Sequence, residues 1–352
     1  MAFERSWSAT NYKKESNSNM IKVEELQKTF KVIERRPGVV GYLKDTLKAQ
    51  YREVNAIKDI NFSIEEGEMV GLIGPNGAGK STVIKILTGI LYPTSGHVEV
   101  MGKVPWENRK KIAYDIGTVF GQKSQLWFHL PLSDSLKVLQ AVYELKNEEF
   151  ENNRKFLIDA LKIEELVNIP VRKLSLGERM KCEIVAALIH NPRLLFLDEP
   201  TIGLDLISKQ AVRETLVEIN KGWGTTILLT SHDTGDIENV CNRAIVINRG
   251  TKVLDDMLDN INKLYVKEKV MTIRFRESIA SKLDLKDLKY EILDDNSISF
   301  KMDINTYERN LSRIVKESEK VGTIVDITID KMPLEEIIKN IYLDSQLNRR
   351  QA

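Results

Sequence analysis

The stretch Gly74-Pro75-Asn76-Gly77-Ala78-Gly79-Lys80-Ser81-Thr82 constrains this chain more than any other. It fits G-x-x-x-x-G-K-[ST], the pattern of a loop that cradles a phosphate. The apolar run Met69-Val70-Gly71-Leu72-Ile73 before it reads as a buried strand, and Ser81 to Leu87 after it reads as a helix. In that context glycines let backbone N–H groups wrap an anion, and the helix adds the positive end of its dipole. Lys80 is placed to reach the β- and γ-phosphates of a nucleotide, and Ser81 to hold Mg²⁺. The expected fold class is α/β.

Downstream, Arg193-Leu194-Leu195-Phe196-Leu197-Asp198-Glu199-Pro200 is an apolar strand that ends in two carboxylates. Alone it reads equally well as a strand end with solvated acids. Paired with the glycine loop, Asp198 becomes a Mg²⁺ ligand, directly or through water. Glu199 then stands where it orients and polarises an attacking water.

Between these motifs lies Leu174-Ser175-Leu176-Gly177-Glu178-Arg179. Ser175 and Glu178 form an S-x-x-E capping box, and Met180, Ile184, Ala187 and Leu188 make one apolar face of the following helix. Here the chain resembles the ATP-binding cassette (ABC) ATPases, whose signature is usually written L-S-G-G-Q. Leu174, Ser175 and Gly177 match; Leu176 and Glu178 depart. The resemblance implies a P-loop NTPase (ABC ATPase) core with an antiparallel β subdomain and a helical subdomain. It implies that the whole loop from Gly74 to Thr82 binds ATP. It also implies that Ser175, Gly177 and Glu178 face the γ-phosphate bound by an opposite subunit.

Other positions fall in the family's order. Tyr51 precedes the loop where these ATPases carry an aromatic that stacks on adenine; otherwise it is an ordinary tyrosine. Gln122 matches the glutamine that touches Mg²⁺ and senses the membrane partner. Gln125 is the alternative, because Gly121 looks like a one-residue insertion. Asp205, in Gly203-Leu204-Asp205, resembles the loop that crosses a dimer interface. His232 follows the β-rich run Thr225 to Leu229 and matches the histidine that contacts the γ-phosphate. The resemblance therefore makes Glu199, His232 and Gln122 catalytic, and Ser81, Gln122 and Asp198 metal ligands.

With 42% hydrophobic residues and a net charge of +1, the chain is globular with no general affinity for polyanions, so nucleic acid is not expected as a partner. Cys182 and Cys241 lack metal-ligand spacing and suggest a reducing compartment. No apolar run is long enough to span a bilayer, and the polar start of the chain lacks a signal-peptide core. The expected location is cytoplasmic, peripheral on the inner face of the cell membrane.

The organisation reads as a flexible tail over 1–19, a nucleotide-binding domain over 20–260 and an accessory domain over 267–345. Within the second lie a basic insertion at 33–52 and a helical subdomain at about 123–190. The insertion, with Arg35, Arg36, Lys44, Lys48 and Arg52, is either a solvated surface helix or a contact for anionic lipid or a membrane subunit. Trp127 and Phe128 either pack inside the helical subdomain or line a docking groove. After about residue 267, alternating runs and two helical patterns suggest a small α+β domain of two or three strands and two helices.

One loop and one signature per chain imply two half-sites, so a second copy or a homologous ATPase subunit is the expected partner. Lys80 and Asp198 lie too close in sequence for the long coiled coil of DNA-maintenance members. The insertion Arg35-Arg36-Pro37-Gly38 and the segments Gly121 to Trp127 and Leu174 to Glu183 resemble a bacterial drug- and viologen-exporter-like subgroup. That resemblance implies separate ABC-2-type membrane subunits; a polysaccharide or lipid exporter and a soluble non-transport ATPase are the alternatives.

Overall fold

The computed structural model describes residues 19–33, 51–121, 124–265, 268–278, 290–303, 307–331 and 333–351. The strands, in chain order, are β1 (Asn19–Ile33), β2 (Tyr51–Glu65), β3 (Met69–Ile73), β4 (Ser95–Val100), β5 (Ile116–Phe120), β6 (Leu194–Asp198), β7 (Thr226–Thr230), β8 (Arg243–Asn248), β9 (Thr251–Met257), β10 (Glu268–Phe275), β11 (Tyr290–Asp294), β12 (Ser297–Asp303) and β13 (Ile324–Lys331). The chain divides into two units: Met1–His232 with Ile247–Lys252, and Asp233–Val246 with Val253–Ala352.

In the first unit two sheets follow from two patterns. β1, β2 and β4 pair antiparallel in the order β2-β1-β4. Their apolar residues alternate with polar ones: Ile21, Val23, Ile60, Phe62, Ile64, Val98 and Val100 are buried and their neighbours mostly are not. That is the signature of a sheet with one wet face. By contrast, every residue of β3 and β7 is buried, as are the first four of β6. Unbroken apolar runs of that kind belong to parallel strands covered on both faces. They run in the order β5-β6-β7-β3. The basic insertion lies outside the described residues, apart from the flanking positions Ile33 and Tyr51–Arg52, which close β1 and open β2.

Three helices, Leu132–Val142, Asn147–Leu161 and Leu176–Leu188, fall in the stretch expected to be helical. Leu132, Leu136, Phe150, Leu157, Leu161 and Met180 are buried there. At the end of the last helix His190 is buried and stacks flat on Tyr143, with ring centroids 3.8 Å apart, while its Nε2 lies 3.1 Å from the Ile116 carbonyl. Burial pulls the imidazole pKa down to about 4. In the unfolded chain it titrates near 6.5, so below that pH the unfolded state binds the extra proton and stability is lost as pH falls toward 4. The expected loss is about 3 kcal/mol over that window. Urea midpoints at pH 7 and pH 4.5 should differ by more in wild type than in His190→Gln, and equal pH dependence would refute the assignment.

The second unit holds an antiparallel sheet in the order β11-β12-β10-β13, one strand more than expected at most from the sequence. The helix Tyr307–Glu319 lies on it through Leu311, Ile314 and Val315, over Met271, Ile273, Phe275, Ile298, Phe300 and Met302. A final helix, Leu334–Gln351, buries Leu334, Ile337, Ile338 and Ile341, which share one face at helical spacing. Glu238 Oε1 accepts its first N–H from Leu334 at 3.2 Å.

Candidate active site

Strand order gathers the motifs. In parallel sheets, ligands bind outside the carboxyl ends of the strands. Here Gly74 to Ser81 follow β3, Ser231 and His232 follow β7, Asp198 ends β6 and Gly121 follows β5. Four segments far apart in sequence therefore open on one edge.

The glycine loop is shaped by close backbone approach. Gly79 caps the helix Lys80–Leu87 with φ +111°, and a β-carbon there would lie 2.7 Å from the Ala56 carbonyl oxygen. Only glycine fits that geometry without displacing β2. Lys80 is buried, and its Nζ donates to the Gly74 carbonyl at 2.6 Å. Burial lowers its pKa, opposed by the negative charges of Glu199 and Asp198.

Asp198 Oδ1 accepts from Ser81 Oγ at 3.2 Å and from Thr230 Oγ1 at 2.6 Å. Ser81 and Asp198 thus present neighbouring oxygen donors, the ligand type that a hard cation such as Mg²⁺ takes. Glu199 follows with φ +55°, in the left-handed region. His232 Nδ1 lies 3.5 Å from Glu199 Oε2. Gly121 donates its N–H to the Asp198 carbonyl at 3.0 Å. Phosphate cradle, buried lysine, paired oxygens, half-exposed acid and histidine are what nucleoside triphosphate hydrolysis uses.

Comparison with known proteins agrees. The family profile described as ABC transporter matches residues 57–202. The methionine import ATP-binding protein of Bacillus subtilis is 31% identical over 71% of this chain and 74% of its own length. The chain belongs to the ABC transporter family of ATP-binding proteins. The Nod factor export ATP-binding protein I of Sinorhizobium fredii is 34% identical, over 58% of this chain and 59% of its own. A solved dimeric ATP-binding cassette, in a post-hydrolysis state with ADP and phosphate, superposes with a TM-score of 0.57 at 26% identity, covering 68% of this chain and 99% of that one. The architecture is that of an ABC ATPase, and the chain is an ATP-hydrolysing enzyme.

The remaining motif residues of this ABC protein sit as follows. Ser175 Oγ accepts the Glu178 N–H at 3.2 Å, and Glu178 Oε2 accepts the Ser175 N–H at 2.8 Å, so the capping box is formed. Those bonds, the backbone one first, lower the Glu178 pKa. Leu176, at a position where the signature usually has glycine, fills space that a β-carbon at Gly203 would need, 2.6 Å from Leu176 Cδ2. Asp205 caps the helix Leu206–Trp223 by accepting from the Ser208 N–H at 2.8 Å and hydroxyl at 2.9 Å.

Gln122 lies outside the described residues. Gln125 is committed elsewhere: its Nε2 donates to the Glu183 carbonyl at 3.0 Å and its N–H to Glu183 Oε2 at 3.1 Å. Ser124 Oγ donates to Glu183 Oε1. Glu183 is buried, which raises its pKa while these donors lower it. It ties the segment after β5 to the signature helix. Its only sequence signal was an acid inside an otherwise apolar run. In the same segment Leu126 is the buried residue, whereas Trp127 and Phe128 keep 42% and 53% exposure. Core packing therefore does not account for the two aromatics.

Proposed function

We propose that this ABC ATPase powers a bacterial ABC-2-type exporter of the drug- and viologen-exporter-like kind, through separate membrane subunits. By function, the nucleotide-binding domain takes residues 20–260 and the accessory domain residues 267–345, although Asp233–Val246 and 253–260 fall in the second structural unit. Two copies, or this chain and a homologue, hold two ATP molecules head to tail. Each site takes Lys80, Ser81, Asp198, Glu199, Gln122 and His232 from one chain, and Ser175 and Gly177 from the other. Mg²⁺ bound with the nucleotide would neutralise phosphate charge there, and Ser81, Asp198 and Gln122 would hold it. Glu199 orients the attacking water, and His232 holds the γ-phosphate. Loss of that phosphate removes the contact between the chains and opens the dimer.

Among the described residues no helix is long and apolar enough to cross a membrane. The observation that carries docking is the exposed pair Trp127-Phe128, on a segment fixed to the signature helix by Glu183. Trp127→Glu should weaken association with the membrane partner more than ATP binding, since an unpaired charge buried in an apolar groove costs several kcal/mol. Co-purification from membranes, with nucleotide affinity and thermal midpoint measured alongside, tests this. A folded, ATP-binding variant that still assembles normally would sink the docking site.

Two aromatics on the paired strands compete for adenine. Tyr51 stands opposite Ile33, and Phe30 opposite Val54. Ala56 is the β2 residue that meets Gly79. At roughly 3.3 Å per residue, Val54 lies about 7 Å and Tyr51 about 17 Å along the strand from that contact. The register thus favours Phe30 over Tyr51 as the platform. Phe30→Ala should weaken ATP binding about 5- to 150-fold, the worth of one base–aromatic stack. Tyr51→Ala should change it little, and the reverse pattern would restore Tyr51.

A further inference from the structure

We propose that Thr230 is a positioning residue of the hydrolytic site, its hydroxyl fixing both carboxylates in one arrangement. This rests on the reading that Asp198 holds Mg²⁺ and Glu199 orients the water.

Thr230 is the last residue of β7, the strand between β6 and β3. Its register partners are Asp198 on one side and Leu72 on the other. It is wholly buried. A buried hydroxyl is costly unless bonded, and valine would fill the same space without that cost. The hydroxyl has work: it donates to Asp198 Oδ1 at 2.6 Å and accepts the Glu199 N–H at 3.2 Å. The two bonds are compatible, since a hydroxyl has one proton to give and two lone pairs to receive. The same Glu199 N–H reaches the Thr230 carbonyl at 3.0 Å.

Two consequences follow for the chemistry. Asp198 Oδ1 is held from both sides, by Ser81 of the phosphate loop and by Thr230, so the carboxylate plane cannot turn freely. Glu199 sits at φ +55°, a conformation costly for a residue with a side chain, and persists because neighbours hold it. Its N–H is gripped by both the carbonyl and the hydroxyl of Thr230. One residue therefore sets where the cation ligand points and where the acid that handles water begins.

The test uses the full chain with Thr230→Val and Thr230→Ser, beside Asp198→Asn and Glu199→Gln. Turnover, KM for ATP, thermal midpoint and the Mg²⁺ concentration for half-maximal binding of a fluorescent ATP analogue are measured. Removing a partner that orients a metal ligand typically costs about 10- to 100-fold in activity or metal affinity. Thr230→Val should lose turnover on that scale and need more Mg²⁺, with the thermal midpoint little changed. Thr230→Ser should restore both. If valine fails to fold, alanine replaces it, and serine active with alanine defective supports the same conclusion. Wild-type turnover and Mg²⁺ dependence in Thr230→Val, with both carboxylate variants inactive, overturns the role of Thr230 alone. Loss in valine and serine alike, in step with thermal midpoint, also overturns it, because the residue is then only structural. Wild-type turnover in Glu199→Gln removes the underlying reading and the proposal with it.

Discussion

Glu199→Gln should lower ATP turnover about 10²- to 10⁴-fold while leaving ATP binding intact, the usual range for removing a general acid–base group. The substitution keeps the side chain's size, so the strand end and the Thr230 contacts to the Glu199 amide persist. The phosphate cradle from Gly74 to Ser81 is untouched. What is lost is the negative charge 3.5 Å from His232 Nδ1 and its capacity to polarise water. Because hydrolysis is what opens the proposed dimer, the variant should accumulate as an ATP-bound pair. Size-exclusion chromatography with and without Mg-ATP reports it. Wild-type turnover in this variant would remove Glu199 from the chemistry.

Lys80→Met should weaken ATP binding about 150-fold or more, since two charge-assisted bonds to phosphate are worth at least about 3 kcal/mol. Its effect on the fold should have the opposite sense to that of most buried substitutions. Lys80 is buried, and burial lowers its pKa, so the fold disfavours the charged amine. Methionine of similar length removes that cost. The thermal midpoint without nucleotide should therefore stay level or rise, while the ATP-induced rise in midpoint disappears. A large fall in the nucleotide-free midpoint would show that the bond to the Gly74 carbonyl matters more than burial.

Much of this was legible in the sequence because it is local. The glycine loop declares itself by spacing, its flanking strand by an unbroken apolar run, and the signature helix by Ser175 and Glu178, whose reciprocal bonds form as expected. What stayed hidden depends on pairing across the chain. That β7 lies between β6 and β3 cannot be read from any one segment, so nothing local marks Thr230 as the partner of both carboxylates. The placement of Phe30 opposite Val54, two residues from Ala56, is a matter of strand register and leaves no local trace. Strand β11 escaped because all five of its residues are exposed, and Tyr290-Glu291-Ile292-Leu293-Asp294 lacks two-residue alternation. The partners of buried Glu183, Ser124 and Gln125, lie 59 and 58 residues away, so no local pattern announces them.

If one catalytic site is shared between two chains, as proposed, defects placed in separate chains should complement each other on mixing. Lys80→Met leaves Ser175 intact but disables the phosphate cradle; Ser175→Arg leaves Lys80 intact but blocks the signature face. Each variant alone should be nearly inactive, since both its sites carry a defect. In a mixed pair one site combines wild-type Lys80 from one chain with wild-type Ser175 from the other. Mixing the two purified variants should therefore restore ATP hydrolysis. A mixture no more active than its components, or full activity in Ser175→Arg alone, would contradict the shared site.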